Sequence, residues 1–373
     1  MTSKVFSLFA LCASFLRVQA DEVDDVITAR MQERHITGLS LAIVQNCKIV
    51  KARGYGFTDK SGQTPVTPTT LFQAGSISKS VAAFGALHLV EEGKLFLDAD
   101  VNTQLRTWKV PENEFTKDKK VTLRGILSHS AGLTIHGFPG YARLAPMPTL
   151  AQVLNGAMPA NTAPIRVDIV PGTKWRYSGG GYTVMQQMII DVTGKPFPEF
   201  MRDTVLQPLG MTNSTYDQPL PQNSVASTAA GYLANGKEIW GKWHIYPEMA
   251  AAGLWTTASD LARFTIGVQQ ALAGASNPVL SQTMTRQMFT IQNPSLSKAD
   301  GLGVFVSGRE NTRQFWHGGR NAGFDAFMIA YPNAGDGAVV MINANDNSGA
   351  VKDIVKTIAQ KYNWQEFDPD FVN

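Results

Sequence analysis

The sequence predicts a mixed α/β fold in which an antiparallel sheet is built from both ends of the chain. Helices flank this sheet, and a mostly helical part is inserted between the two ends. Two observations predict the fold: strand-like apolar stretches occur near both ends of the 373-residue chain, and the regular segments between them have helical spacing. The cleft between the sheet and the helical part is then the expected place for a ligand.

The N-terminal part is predicted to be a signal peptide followed by a helix and a hairpin. Residues 1–20 contain a basic residue, an apolar run of about 12 residues and small residues before the cleavage point. Such a run is too short to span a membrane and is typical of a cleaved signal, so we expect a secreted or periplasmic protein. A helix is predicted at 23–34, and two strands at 39–44 and 49–54.

The rest of the chain divides into a helical middle and a strand-rich end. A helix is predicted from Ser76 to Glu92, and it should be buried because its apolar residues between Val81 and Val90 leave little polar face. Further helices are predicted at 123–128, 150–157, 182–193, 198–206, 258–272 and 351–362, and further strands at 301–306, 324–331 and 338–344. We therefore expect one domain over 21–373, with an α/β part at 21–80 and 290–373 and a mostly helical part at 81–289.

Composition excludes several classes of function. Hydrophobic residues make up 44% of the chain, and the net charge of +3 is too small for a nucleic-acid-binding surface. The six histidines are scattered, with no two at ligand spacing on one helix, so no metal is implied. No glycine-rich stretch matches a phosphate or dinucleotide fingerprint. We expect no cofactor, and no membrane-spanning segment once the signal is removed.

Ser76-Ile77-Ser78-Lys79, at the start of the predicted buried helix, is the most informative stretch. Residues three apart on a helix share a face, so the Lys79 amine can reach the Ser76 hydroxyl. A serine hydroxyl needs a base to accept its proton, and a lysine among apolar side chains has its pKa lowered toward that role. The pattern alone is common, and a capping serine with a solvated lysine is the alternative interpretation.

Two further stretches could add groups to the same site. Tyr177 precedes the small residues 178–181, which open a helix; a tyrosine near a lysine can act as a phenolate or proton relay, and small residues let the backbone approach a ligand. His317, followed by 318–320, could line the cleft from the sheet side. Taken singly, a packing tyrosine and a structural histidine would be the better explanations of these residues.

Together, in this order, the three motifs identify a family. The chain resembles the serine β-lactamase and penicillin-binding protein superfamily, closest to its class C β-lactamase, D-aminopeptidase and esterase branch, over almost the whole mature chain. The resemblance implies a β-lactamase/transpeptidase-like fold. Stretches 127–133 and 252–257 also resemble signatures of the family that line or support the cleft. His129, within the first of them, is assigned no catalytic role.

The resemblance implies roles for individual residues. Ser76 is implied as the acylated nucleophile, Lys79 as its proton acceptor and Tyr177 as the general acid and base. The oxyanion hole is implied to consist of the backbone N–H groups of Ser76 and Arg320. The implied substrate-binding and oxyanion residues on the sheet side are His317, Gly318, Gly319 and Arg320.

Two departures from the family pattern bear on the substrate. The second motif of the family is Tyr-x-Asn, and Gly179 stands where that Asn amide would bind a substrate carbonyl. The third motif is Lys-Thr-Gly or His-x-Gly, and His317 puts a titratable ring in place of a fixed cation, which weakens recognition of a carboxylate at neutral pH. We therefore expect a Ser76 acyl-enzyme that acts on carboxylic esters or small D-configured amides or peptides.

Other functions stay open on the same scaffold, because fold analogy does not separate substrates. The alternatives are a β-lactamase or DD-carboxypeptidase-type penicillin-binding protein, an acyltransferase, and a binding protein that stays acylated. An α/β-hydrolase is disfavoured because Ser128 stands where G-x-S-x-G needs its first glycine. The expected partner is a small-molecule ester, amide or peptide. Trp175, Trp255 and Trp316 lie next to presumed cleft elements and would either accept an apolar acyl group or pack in the core.

Overall fold

The structure, a computed structural model, describes residues 21–346 and 349–371. The predicted signal peptide at 1–20 therefore lies outside the described residues. The helices are α1 Glu22–Glu33, α2 Ser78–Glu91, α3 Leu123–Leu127, α4 Leu150–Asn155, α5 Gly179–Thr193, α6 Phe197–Met201, α7 Met249–Ala252, α8 Ala258–Leu272, α9 Gln282–Met288 and α10 Gly349–Lys361. The strands are β1 Gly38–Gln45, β2 Lys48–Gly56, β3 Phe72–Gln73, β4 Tyr141–Ala142, β5 His244–Ile245, β6 Trp255–Thr256, β7 Phe305–Ser307, β8 Gln314–Asn321, β9 Phe324–Tyr331 and β10 Asp336–Ile342.

Six strands form one antiparallel sheet in the order β2-β1-β10-β9-β8-β7. The N-terminal hairpin meets the C-terminal strands where β1 pairs with β10, with Leu41 opposite Val340. The predicted α/β fold, with an antiparallel sheet built from both chain ends and flanked by helices, is therefore confirmed. Within the described ranges, no helix combines the length and apolar character needed to cross a membrane.

Both faces of the sheet are covered by helices. α1 and α10 lie on one face, where Leu41, Ile43 and Ile354 are fully buried. Ala42 and Val44 point to the other face and share a second core with the remaining helices, among which α8 packs directly on the sheet. This double coverage explains why β1 is an almost continuous apolar run. α8 comes from the segment 81–289, so that segment contributes to the sheet layer as well as to the helical part.

Several boundaries differ from those predicted. Ser76 lies in a 3₁₀ turn, Gly75–Ile77, and α2 begins only at Ser78. The strand predicted at 301–306 begins at Phe305, because Gly303 before it has φ +83° and turns the chain. The sequence predicts no strand at β8, since two glycines interrupt its apolar pattern, yet this strand carries the His317 motif.

Candidate active site

Ser76 lies in its 3₁₀ turn directly against β8. Gly75 has φ +52°, and a Cβ atom on it would lie 2.4 Å from the backbone nitrogen of Arg320. A Cβ atom on Gly319 would lie 1.9 Å from the carbonyl oxygen of Ala74. Both positions therefore require glycine, which alone has no Cβ and readily adopts a positive φ. The two backbones come into contact, and this places the Arg320 N–H next to Ser76.

Lys79 is buried beside Ser76, with 1% of its surface exposed. Its Nζ donates hydrogen bonds to Ser76 Oγ at 2.9 Å and to the carbonyl oxygen of Ala251 at 2.7 Å. The rings of Tyr177 and Tyr182 lie 5.0 and 5.7 Å from the same nitrogen. Burial lowers the pKa of Lys79 to about 7. The alternative of a solvated lysine is thus wrong, and a large fraction of this amine is neutral near pH 7.

Tyr177 completes a three-residue cluster around the Ser76 hydroxyl. Its side chain is hydrogen-bonded to Ser76, and burial raises the pKa of Tyr177 well above its ordinary value. Tyr177 is therefore a neutral phenol at neutral pH, which fits the predicted proton relay and not the predicted phenolate. The next residue, Ser178, is held in place by its own side chain. Its hydroxyl donates a hydrogen bond to the Thr134 carbonyl oxygen at 2.8 Å and accepts one from the Gly181 N–H at 2.9 Å, which caps α5.

The glycines after Ser178 serve packing between chain segments. A Cβ atom on Gly180 would lie 2.4 Å from the Thr134 carbonyl oxygen, and one on Gly179 would lie 3.0 Å from the His136 carbonyl oxygen and 3.1 Å from a ring carbon of Phe138. The expectation that these small residues admit a ligand is therefore corrected: they admit the neighbouring segment 134–138. An asparagine at position 179 would have to displace the ring of Phe138.

The third motif lies on β8 and presents no free cation. His317 is 3% exposed, and burial together with the Lys79 cation lowers its pKa to about 3, so the ring is neutral at pH 7. The Arg320 guanidinium pairs with the Asp325 carboxylate through contacts of 2.7 and 3.1 Å. The sheet side of the site therefore offers a neutral imidazole and a paired charge to a substrate.

A cleft of about 620 Å³ opens over Ser76, and its walls are largely aromatic. The residues that line it with a ring are His136, Phe138, Trp175, Tyr177, Phe305, Trp316, His317 and Phe327. The third tryptophan, Trp255, is instead fully buried in the core against Phe324 and Trp243. Across 21–346 and 349–371, no cluster of three or more His, Cys, Asp or Glu side chains is arranged to hold a metal ion.

Sequence reasoning missed several groups that shape this site. The Ala251 carbonyl, which binds Lys79, belongs to the one-turn helix α7 directly before the stretch 252–257 that the sequence already marks as a signature. Asp300 is buried, and burial raises the pKa of its carboxyl overall, while the Trp175 side chain beside it lowers that pKa. Phe138 lies in an irregular loop, where no periodic pattern could indicate which way its ring points.

Comparison with known proteins agrees with this fold. The model of the beta-lactamase family matches residues 23–361, so the chain belongs to the beta-lactamase family. Protein flp of Staphylococcus aureus (strain N315) is 25% identical over 330 residues, which cover 87% of this chain and 63% of that protein. The chain thus spans under two thirds of the length of this curated relative.

Solved structures show the same fold at lower identity. The octameric penicillin-binding protein homologue from Pyrococcus abyssi has a TM-score of 0.75 at 22% identity. The match covers 94% of this chain and 78% of the chain in that structure. The D-amino acid amidase from Ochrobactrum anthropi SV3 has a TM-score of 0.71 at 20% identity. The match covers 92% of this chain and 100% of the amidase chain. With the family match over residues 23–361, the predicted superfamily is confirmed.

We expect the variant Gly319→Ala to lose both stability and turnover, because its new Cβ would lie 1.9 Å from the Ala74 carbonyl oxygen. Overpacking of this kind typically costs about 1–3 kcal/mol of unfolding free energy. Gly137→Ala is the matched control, since a Cβ there meets no heavy atom within 4 Å. Urea unfolding and ester hydrolysis measure both effects. A Gly319→Ala variant as stable and active as the control would contradict the contact between β8 and the Ser76 turn.

Proposed function

We propose that this protein is an exported serine hydrolase that acylates Ser76 and releases the acyl group to water, with neutral carboxylic esters as its substrates. The observation that carries the proposal is the hydrogen bond of 2.9 Å between the buried Lys79 amine and Ser76 Oγ, because Ser76 lines an aromatic cleft. Export rests on the signal-like residues 1–20. We also propose that the chain divides into an α/β part at 21–80 and 290–373 and a mostly helical part at 81–289.

Acylation begins with transfer of the Ser76 hydroxyl proton to neutral Lys79, as Ser76 Oγ attacks the ester carbonyl carbon. The carbonyl oxygen gains negative charge and is bound by the backbone N–H groups of Ser76 and Arg320, a role supported by the close approach of the Gly75 and Arg320 backbones. The ammonium of Lys79 is stabilised by the Ala251 carbonyl and by the Tyr177 ring. Tyr177 then passes the proton to the leaving alkoxide, which departs as an alcohol.

Deacylation uses the same groups in reverse. Water attacks the acyl carbon of the Ser76 ester, its proton passes to Lys79 through the Tyr177 hydroxyl, and the same two N–H groups bind the oxyanion. Collapse of the intermediate returns a proton to Ser76 Oγ and frees the carboxylic acid. Because Tyr177 is protonated at neutral pH, it accepts one proton only as it donates another, so Lys79 is the group that stores the proton.

The cleft favours neutral esters over the other substrates of the family. His317 is neutral at pH 7 and the Arg320 charge is paired with Asp325, so a substrate carboxylate gains little. The lining residues of the cleft include neither Asp nor Glu, so an amino group on a D-amide lacks a counter-charge there. The aromatic walls instead bury an apolar acyl or aryl group. β-Lactams and peptides that end in D-Ala-D-Ala carry a carboxylate, so they are expected to be poorer substrates than neutral esters.

We expect fast cleavage of p-nitrophenyl butyrate and slow or absent turnover of a chromogenic cephalosporin. The variant Ser76→Ala should lose about 10⁴-fold or more of the ester activity, because the nucleophile is gone. A fluorophosphonate probe should add its mass to the peptide that contains Ser76 in the wild type only. Retention of more than a few per cent of activity in the variant would exclude Ser76 as nucleophile, and rapid cephalosporin turnover would exclude the substrate assignment.

A cation at position 317 should redirect specificity toward carboxylates. In His317→Lys, assayed at pH 6, where a lysine as buried as Lys79 still carries its proton, kcat/KM for an anionic ester such as mono-p-nitrophenyl adipate should rise about tenfold relative to the neutral butyrate, because opposite charges at close range attract. His317→Gln is the matched neutral control and should leave the ratio near its wild-type value. An unchanged ratio in His317→Lys would contradict the role given to this position.

A further inference from the structure

We propose that His129 is a positioning residue, which holds the Tyr177 side chain in place beside Ser76 and Lys79. This inference rests on the proposed function, because it assigns a role in the same proton transfer. His129 lies in the stretch 127–133, which the sequence marks as a family signature and which the mechanism above does not use. It touches none of the reacting atoms and acts only through Tyr177.

His129 binds the backbone on both sides of Tyr177. Its carbonyl oxygen accepts a hydrogen bond from the Arg176 N–H at 2.8 Å, and its side-chain Nδ1 accepts one from the Ser178 N–H at 3.2 Å. The imidazole also packs on the phenol ring of Tyr177, with ring centroids 4.2 Å apart and planes inclined by 33°. One residue thus fixes the residue before Tyr177, the residue after it and the Tyr177 ring itself.

The backbone of His129 is held in an uncommon conformation. Its φ of +56° is in the left-handed region, which a non-glycine residue adopts only when its surroundings impose it. Gly132, three residues on, has φ +70°, and a Cβ atom there would lie 2.0 Å from the Ile169 carbonyl oxygen. The stretch 129–132 is therefore pressed against the segment that leads to Tyr177, and the strained histidine is part of that contact.

The Nδ1 contact requires a neutral imidazole with its proton on Nε2, because a protonated ring has no acceptor. The titratable and charged groups around His129 are Lys79 on α2, Tyr182 on α5, His317 on β8, His136 and Tyr177. His129 is 4% exposed, and burial together with Lys79 lowers its pKa well below the ordinary value. The acceptor therefore persists over the pH range in which Lys79 titrates.

Two variants separate this positioning from simple packing. Both glycine and asparagine accept a left-handed backbone, so neither His129→Gly nor His129→Asn should suffer the strain of other residues. Only asparagine offers an oxygen near the position of Nδ1. With p-nitrophenyl butyrate, we expect His129→Gly to lower kcat about 10²-fold with KM changed less than about threefold, as for a catalytic group displaced by about 1 Å. His129→Asn should recover at least about tenfold of that loss.

The Ser76→Ala variant, assayed alongside, separates failure of this inference from failure of the proposed function. Activity that survives Ser76→Ala defeats the proposed function itself. If Ser76 is required, a wild-type kcat in His129→Gly overturns the positioning role, and so do equal losses in the Gly and Asn variants. Circular dichroism and thermal melting check that each variant is folded. If His129→Gly does not fold, His129→Asn decides alone: a kcat more than about tenfold below wild type overturns the inference.

Discussion

The removal of Lys79 from water is the constraint on which the site depends. An exposed lysine is protonated at neutral pH and cannot accept the Ser76 proton, whereas the buried amine has a pKa of about 7. Burial also opposes folding: because the unfolded chain binds this proton more tightly, the penalty is complete below about pH 7 and fades as the pH rises toward 10.5. The Ala251 carbonyl and the aromatic rings offset part of it.

The sheet contributes to this site through a close backbone contact between β8 and the Ser76 turn. Gly75 and Gly319 remove the two Cβ atoms that would separate β8 from the turn, and the Arg320 N–H is thereby fixed beside Ser76. β8 is two strands away from β10, where the N-terminal hairpin joins the sheet. The oxyanion site that we propose thus depends on both ends of the chain, while Lys79 and Tyr177 come from the helical layers between them. A cleft formed in this way depends on the whole fold.

The parts of this arrangement that the sequence predicts are those encoded locally. The apolar helix after Ser76 and the three-residue spacing to Lys79 can be read directly, and they place the two side chains together correctly. The sequence does not predict β8, because its glycines interrupt the strand pattern. Gly319 is needed there for contact with the distant Ser76 turn. For the same reason Gly179 and Gly180 suggest close approach of a ligand, whereas the structure packs them against segment 134–138. Trp175 and Trp255 both lie next to presumed cleft elements in the sequence, and only tertiary packing puts Trp175 in the cleft and Trp255 in the core.

Direct titration of the Lys79 amine tests most directly whether this side chain is the base. In protein labelled with ¹³C at lysine Cε, its resonance is the one lost in a Lys79→Met variant. We predict a midpoint of about 7, so that the amine gains its proton as the pH falls through neutrality. A midpoint near the ordinary lysine value of 10.5 would contradict the account, because Lys79 would then be an ammonium ion throughout the neutral range and could not accept the Ser76 proton.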